Sequence, residues 1–263
     1  MATLAQPISR PRGSTKLRTP FYFRLSLACL VIGVGGFFAT YWLEVALGRF
    51  TGTALMHIHG VVFTGWLLLL VGQNWRIAQG RLEHHRAWGL AGMSLASVML
   101  VVGYLTGIVG LSGRLAAGYG DDARAFLIVP FFSVTMFFAF VVAAMANIRR
   151  PEWHKRFIFV ATTIALVPAV ARLVFLYRRG YTPGTRPGEF PPAPVNGSLI
   201  SIVIVCAIVI GAGMIHDWRT RGKPHPAWII GLTVLIGGGI LRAPVSQTPA
   251  WLAFADWTTR IAG

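Results

Sequence analysis

Acidic residues are scarce in this chain. Only 8 of its 263 residues are Asp or Glu, against 24 Lys and Arg. Charged side chains make up 12% of the sequence, where a soluble domain carries about 25%. That shortage excludes an ordinary soluble domain, and the 55% hydrophobic share excludes a disordered one. With 2 cysteines the chain is neither a disulfide scaffold nor a Cys-rich zinc module. No lysine lies in a long apolar run, which excludes a retinal-type Schiff base. No Gly-Lys-Ser/Thr loop is present to hold ATP through a P-loop, and no His-Glu-x-x-His protease motif occurs. No acid sits in the middle of an apolar run, which weighs against proton-driven transport. Paired interrupted spans of a secondary transporter are missing too.

What is present is apolar sequence in long stretches, with a mean hydropathy of +0.63. Seven runs, near 21–43, 54–75, 88–111, 126–148, 157–177, 198–216 and 227–247, each approach the roughly 20 residues that cross a bilayer. The formal charge of +16 would suggest nucleic acid in a soluble domain. Here the cations sit between apolar runs, facing lipid headgroups, and no nucleic-acid partner is expected. Arg10, Arg12, Lys16, Arg18 and Arg24 flank the first run. Arg76, Arg81 and Arg86 follow the second, Arg149, Arg150, Lys155 and Arg156 the fourth, and Arg219, Arg221 and Lys223 the sixth. The opposite side holds Arg49, Arg114, Arg124, Arg178, Arg179, Arg186 and Arg260, and only Arg172 and Arg242 fall inside runs. The positive-inside rule then predicts a cytoplasmic N-terminus and an external C-terminus.

The expected fold is an all-α integral membrane protein of a bacterial-type inner membrane, with seven transmembrane helices arranged as one helix plus three hairpins. Residues 1–19 read as a disordered basic tail, 20–250 as the bundle, and 251–263 as an outer interfacial aromatic segment. The stretch from Arg178 to Gly197 contains Pro183, Pro187, Pro191, Pro192 and Pro194 and reads as a stiff external crossing. Pro130 and Pro168 predict kinks or helix starts. Gly33, Gly35 and Gly36 and Gly237, Gly238 and Gly239 suit close helix packing. Cys29 and Cys206 read as small apolar filler.

Each predicted hairpin restarts with a histidine followed three residues later by an aromatic: His85 and Trp88, His154 and Phe157, His225 and Trp228. With His84 and His216, five histidines then lie near one face. Imidazoles from several helices suit a transition metal, with His85, His154 and His225 as ligands, or haem axial ligation. Glu83, Glu152 and Asp217 are candidate supporting groups. The competing reading is that a histidine at this depth suits the headgroup interface.

A second group is predicted in the opposite leaflet. His57 and His59 open the second run, but residues two apart on a helix point about 200° apart, so at most one faces the bundle. Gly60 and Thr64 leave room beside His59 for a planar ligand. Arg172 and Arg242 lie at a similar depth, where charge is costly and usually faces a cavity. With Glu44 the only carboxylate near that level, an acidic ligand is expected: haem propionates with His57 or His59 as axial ligand, a quinone, a lipid phosphate or a carboxylate. The competing reading is that both arginines snorkel to the headgroups.

The strings His59-Gly60, Trp66, Gln73, Arg81 and His85-Arg86-Ala87-Trp88-Gly89 resemble uncharacterised bacterial polytopic membrane families with His-Gly helix openings and His-Arg-x-x-Gly restarts. His154-Lys155-Arg156-Phe157 is similar to the opening of the His-Lys-x-x-Met restart of small membrane proteins associated with cytochrome oxidase assembly. The resemblance covers about 100 residues. It implies an inner-membrane helical bundle linked to haem or respiratory chemistry. The expected function is therefore a non-catalytic assembly factor or accessory subunit of a membrane complex. The alternatives are a redox protein binding b-type haem or quinone through His57, His59, Arg172 and Arg242, and a carrier of a small anion or lipid.

Overall fold

Glycines and prolines punctuate the apolar runs and fix where each helix stops. The computed structural model describes residues 21–180, 191–192 and 194–261. The predicted tail and most of the Pro-rich crossing lie outside the described residues. The helices are α1 (Phe21–Gly36), α2 (Leu43–Ala46), α3 (Ala54–Ala78), α4 (Leu82–Ala116), α5 (Gly120–Phe126) and α6 (Ile128–Ala146). They continue with α7 (Pro151–Ala165), α8 (Val167–Arg179), α9 (Ser198–Arg221), α10 (Pro226–Ser246) and α11 (Pro249–Ile261). Gly80 and Gly222 take positive φ, 73° and 75°, at the ends of α3 and α9, and Pro151 and Pro226 open α7 and α10.

The protein is an all-α, multi-pass membrane protein. Among the described residues six helices, counting α5–α6 and α7–α8 as single spans, are long and apolar enough to cross a bilayer. Counted as one span, the bent pair Phe21–Gly36 and Phe38–Ala46 makes a seventh. Three antiparallel hairpins, α3/α4, α6/α7 and α9/α10, pack as predicted, with α1 as the extra helix. The order α1, α3, α4, α6, α10, α9 forms a ring around α7–α8, which packs on α1, α6, α9 and α10. Trp66 Nε1 ties α3 to the same axis by donating to Thr162 Oγ1 at 3.1 Å. The core runs along this axis, with Val160, Ala161, Val209, Ile210, Trp228 and Leu235 buried. The hairpin turns define one end of the bundle, the hairpin end. The termini of α4, α8 and α10 and the starts of α3 and α9 define the other, the open end.

Three features differ from the sequence expectation. The first span is bent by 49°, and residues Phe38–Trp42 wind as a π-helix. A Cβ on Gly36 would lie 2.5 Å from the Ala169 carbonyl oxygen, so α1 approaches α8 backbone to backbone just before the bend. The third span runs through 35 residues, with no proline and no positive-φ glycine between Gly80 and Gly118. Helicity depends on the absence of breakers, whereas the apolar run ends where polar residues begin. The histidine repeat also splits. His85 and His154 are the fourth residues of α4 and α7, while His225 is the N-cap of α10. The predicted breaks at Pro130 and Pro168 fall beside the α5–α6 and α7–α8 junctions.

The C-terminal aromatic segment is a helix docked across α4 and α5 at the open end. Trp251 Nε1 donates to the Arg124 carbonyl at 3.0 Å, and Arg124 pairs with Asp256 at 2.7 Å. Trp257 and Phe254 remain at the surface.

Candidate functional site

At the open end the predicted site residues separate into three places. His57 turns toward the bent first span, where its Nδ1 lies 3.0 Å from Tyr41 Oη and its ring packs edgewise on Phe50. His59 faces another way, as the 200° separation requires. Its ring stacks on Phe63 at 4.1 Å, and its buried Nδ1 has no hydrogen-bond partner. Arg172 is close enough to act electrostatically on His59 and also on Arg114. Arg172 lies over the Phe37 ring at 5.5 Å, and Arg114 over Phe126 at 4.6 Å. Arg114 Nη1 donates to the Gly110 carbonyl at 3.2 Å, one turn deeper into the helix, so this guanidinium points away from the helix end rather than snorkelling. The sequence placed Arg114 in a loop, because the apolar run ends five residues before the helix does. The room expected beside Gly60 is filled: a Cβ there would meet the Tyr41 ring at 3.0 Å.

Arg242 stands apart from these groups, between α6, α9 and α10. It is 3% exposed, which does not fit a snorkelling side chain. Its Nη2 donates to Ser198 Oγ, and its guanidinium lies 5.7 Å over the Phe132 ring. Nε and Nη1 are buried without hydrogen-bond partners, and among the described residues no carboxylate pairs with them. Ser198 opens α9 directly after the 3-10 turn Val195–Gly197, so it lies in the first turn of the continuous helix, whose N-terminus carries no side-chain cap. The positive end of the α9 dipole therefore adds to the Arg242 charge. Ser198 Oγ donates to the Val195 carbonyl at 2.5 Å while accepting from Arg242, so its hydroxyl is fully engaged. No local pattern marks Ser198, which meets Arg242 only through the pairing of α9 with α10.

At the hairpin end the predicted metal ligands also divide. His85 and His154 face one another with ring centroids 6.3 Å apart. His225 packs edgewise on Trp153 at 4.7 Å and caps α10, accepting from the Ala227 amide through Nδ1 at 3.1 Å. Among the described residues no group of three or more His, Cys, Asp and Glu side chains gathers as a metal site. Instead the centre of this end is ionic. Arg156 and Asp217, 1% and 0% exposed in their side chains, form a two-point ion pair joining α7 to α9. Asp217 also accepts from the His225 amide at 3.1 Å and from Trp228 Nε1 at 3.0 Å. Glu152 accepts from Lys155 and Arg156 at 2.6 and 2.7 Å, and also pairs with Arg221.

Burial first, then the charges of Arg156 and Arg221, holds the His225 imidazole below the ordinary histidine range, against the opposing pull of Asp217 and Glu152. The neutral ring is the form that accepts the capping bond. A folded-state value below the unfolded one means that the unfolded chain binds more protons as pH falls. The cap's contribution is therefore complete above about pH 6.5 and is lost as pH falls below it. Acidification from about pH 8 to about pH 5 should remove about 1 kcal/mol of stability through this group. His225→Asn keeps a capping oxygen without titrating and should melt with a smaller pH dependence in detergent. Equal acid-induced drops in both proteins would refute this role for His225.

No protein-family model, curated protein or solved structure matches the chain.

Proposed function

We propose that the protein is a non-catalytic membrane component that holds a singly charged acidic group, a carboxylate or a phosphodiester, in the open half of its bundle. The carrying observation is Arg242, a buried guanidinium with two unpartnered nitrogens at an uncapped helix N-terminus. An uncompensated charge in such a place costs several kcal/mol. A bound anion offsets that cost, and one negative charge balances the one guanidinium. Among the described residues nothing beside Arg242 points to bond making. Ser198 has its proton on a backbone carbonyl, and the other described partner of Arg242 is the Phe132 ring. The chain is read as lying in a bacterial-type inner membrane with its hairpin end cytoplasmic, from the excess of basic residues at that end. The open end then faces outward. Within this reading the protein serves as an accessory subunit or assembly factor whose ligand is retained rather than turned over. The haem and quinone readings rest on His57 or His59 together with Arg172 and Arg242; Tyr41, which meets His57 and covers Gly60, the Phe63 stack on His59 and the separate position of Arg242 beside Ser198 weigh against one planar ligand held by these residues.

The test is chemical extraction of the protein purified in mild detergent, followed by negative-ion mass spectrometry. The wild type should release a singly charged acid near one per chain, and Arg242→Met should retain about tenfold less. After stripping, Arg242→Met should melt at a higher temperature than the wild type, because the uncompensated charge is gone. A wild type that releases no acid and is less stable after the substitution would overturn the reading.

A further inference from the structure

His85 and His154 occupy equivalent positions, each the fourth residue of the second helix of its hairpin. Their partners fix their tautomers. Gln73 Nε2 donates to the His85 carbonyl at 3.2 Å, so the oxygen of the same amide is the acceptor that faces His85 Nδ1 at 3.3 Å. That nitrogen therefore carries the proton. His154 Nδ1 lies 2.9 Å from the Ala144 carbonyl, which only accepts, so it too carries its proton on Nδ1. In both neutral rings the lone pair is then on Nε2. A ring whose N–H is anchored to a carbonyl or carboxamide oxygen, leaving the other nitrogen bare, is the arrangement that orients a metal-ligating histidine.

The spacing agrees with a shared ion. Metal–imidazole bonds of about 2.0–2.1 Å, with about 1 Å more from each nitrogen to its ring centre, put two rings on one ion at most about 6 Å apart, the limit reached when the two nitrogens lie trans on the ion. The observed centroid separation is 6.3 Å, and the planes are inclined at 77°, so the ring edges do not collide across the gap. Both residues are partly exposed at the hairpin end, which leaves an approach from water. His225 differs, since its Nδ1 accepts a hydrogen bond and its proton is on Nε2.

We propose that His85 and His154 bind one borderline transition-metal ion through their Nε2 atoms, with water completing the coordination. Two imidazoles without carboxylates favour copper and zinc over magnesium or calcium, and Cu(II) should bind more tightly than Zn(II). Arg76 and Arg86 act electrostatically on His85, so the ion is held weakly and exchanges with the surrounding solution. The site joins α4 to α7 and is independent of the acidic-group site at Arg242.

The test uses the full chain, purified in detergent without a polyhistidine tag and stripped with chelator. Copper(II) sulfate and zinc chloride are titrated by calorimetry, and the copper form is examined by electron paramagnetic resonance. The expected result is one Cu(II) per chain with hyperfine coupling to two imidazole nitrogens and a weaker Zn(II) isotherm. His85→Ala and His154→Ala should each abolish that signal, and Gln73→Leu should weaken binding about 10–100-fold. His84→Ala and His225→Asn should leave it intact. Absence of a two-nitrogen copper signal in the wild type overturns the proposal without reference to any variant. So does a signal that survives His154→Ala or disappears in His84→Ala.

Discussion

Asp217→Ala should destabilise the protein by about 3–5 kcal/mol, the cost of leaving a buried partner charge uncompensated. The carboxylate accepts from two nitrogens of Arg156, from the His225 amide and from Trp228 Nε1, so one side chain joins α7, α9 and α10. Its removal leaves Arg156, 1% exposed in its side chain, with only Glu152 as an acidic partner among the described residues. Glu152 provides the internal control. Its side chain is 43% exposed, and an exposed pair contributes only about 0–1 kcal/mol. Glu152→Gln should therefore be nearly silent in the same unfolding experiment. The double variant Arg156→Met, Asp217→Leu should recover only the part due to the Arg156 charge, because the His225 amide and Trp228 Nε1 still lack their acceptor. Equal effects from Asp217→Ala and Glu152→Gln in chemical unfolding from detergent would show that the buried pair is not the principal lock of the hairpin end.

This lock marks the boundary of what local sequence conveys. The spans are legible because backbone polar groups in lipid must be satisfied within each segment, so crossing helices show as long apolar runs. The hairpin pairings follow from the short turns at Gly80, Pro151 and Gly222. Arg156 was assigned to a loop because it precedes the run beginning at Phe157, yet α7 starts at Pro151 and carries Arg156 inward. Its partner lies 61 residues away, and nothing near either residue announces the other. The same boundary error hid Arg114, whose helix continues past the last apolar residues. Arg172 and Arg242 were visible as intramembrane charges, but their separation into different inter-helix spaces depends on which faces of α8 and α10 meet their neighbours. The bend after Gly36 had only the glycine pair as a local sign. Its consequence, Tyr41 packed on Gly60, is a tertiary contact that closes the space expected beside His59.

Trp228→Ala carries the other large expected effect, again about 3–5 kcal/mol. The indole is fully buried, and its loss both opens a cavity and removes one donor from Asp217. Gly213 is small because of this ring: a Cβ there would lie 2.4 Å from Trp228 Cζ2 and 2.6 Å from Cε2. The indole is held at its nitrogen by Asp217, so it cannot swing away without giving up that bond. Gly213→Ala should therefore cost about 1–3 kcal/mol by overpacking, opposed by about 1 kcal/mol of improved helix propensity. Trp228→Phe vacates part of the space that the new methyl group needs. The double variant Gly213→Ala, Trp228→Phe should consequently be more stable than the sum of its single changes by about 0.5–3 kcal/mol. Additive effects in a double-mutant cycle would place the Gly213 constraint elsewhere than on Trp228. Coupling that persists when Asp217→Asn is added would separate the shape fit from the hydrogen bond. Coupling that vanishes there would make the carboxylate the group that holds the indole against α9.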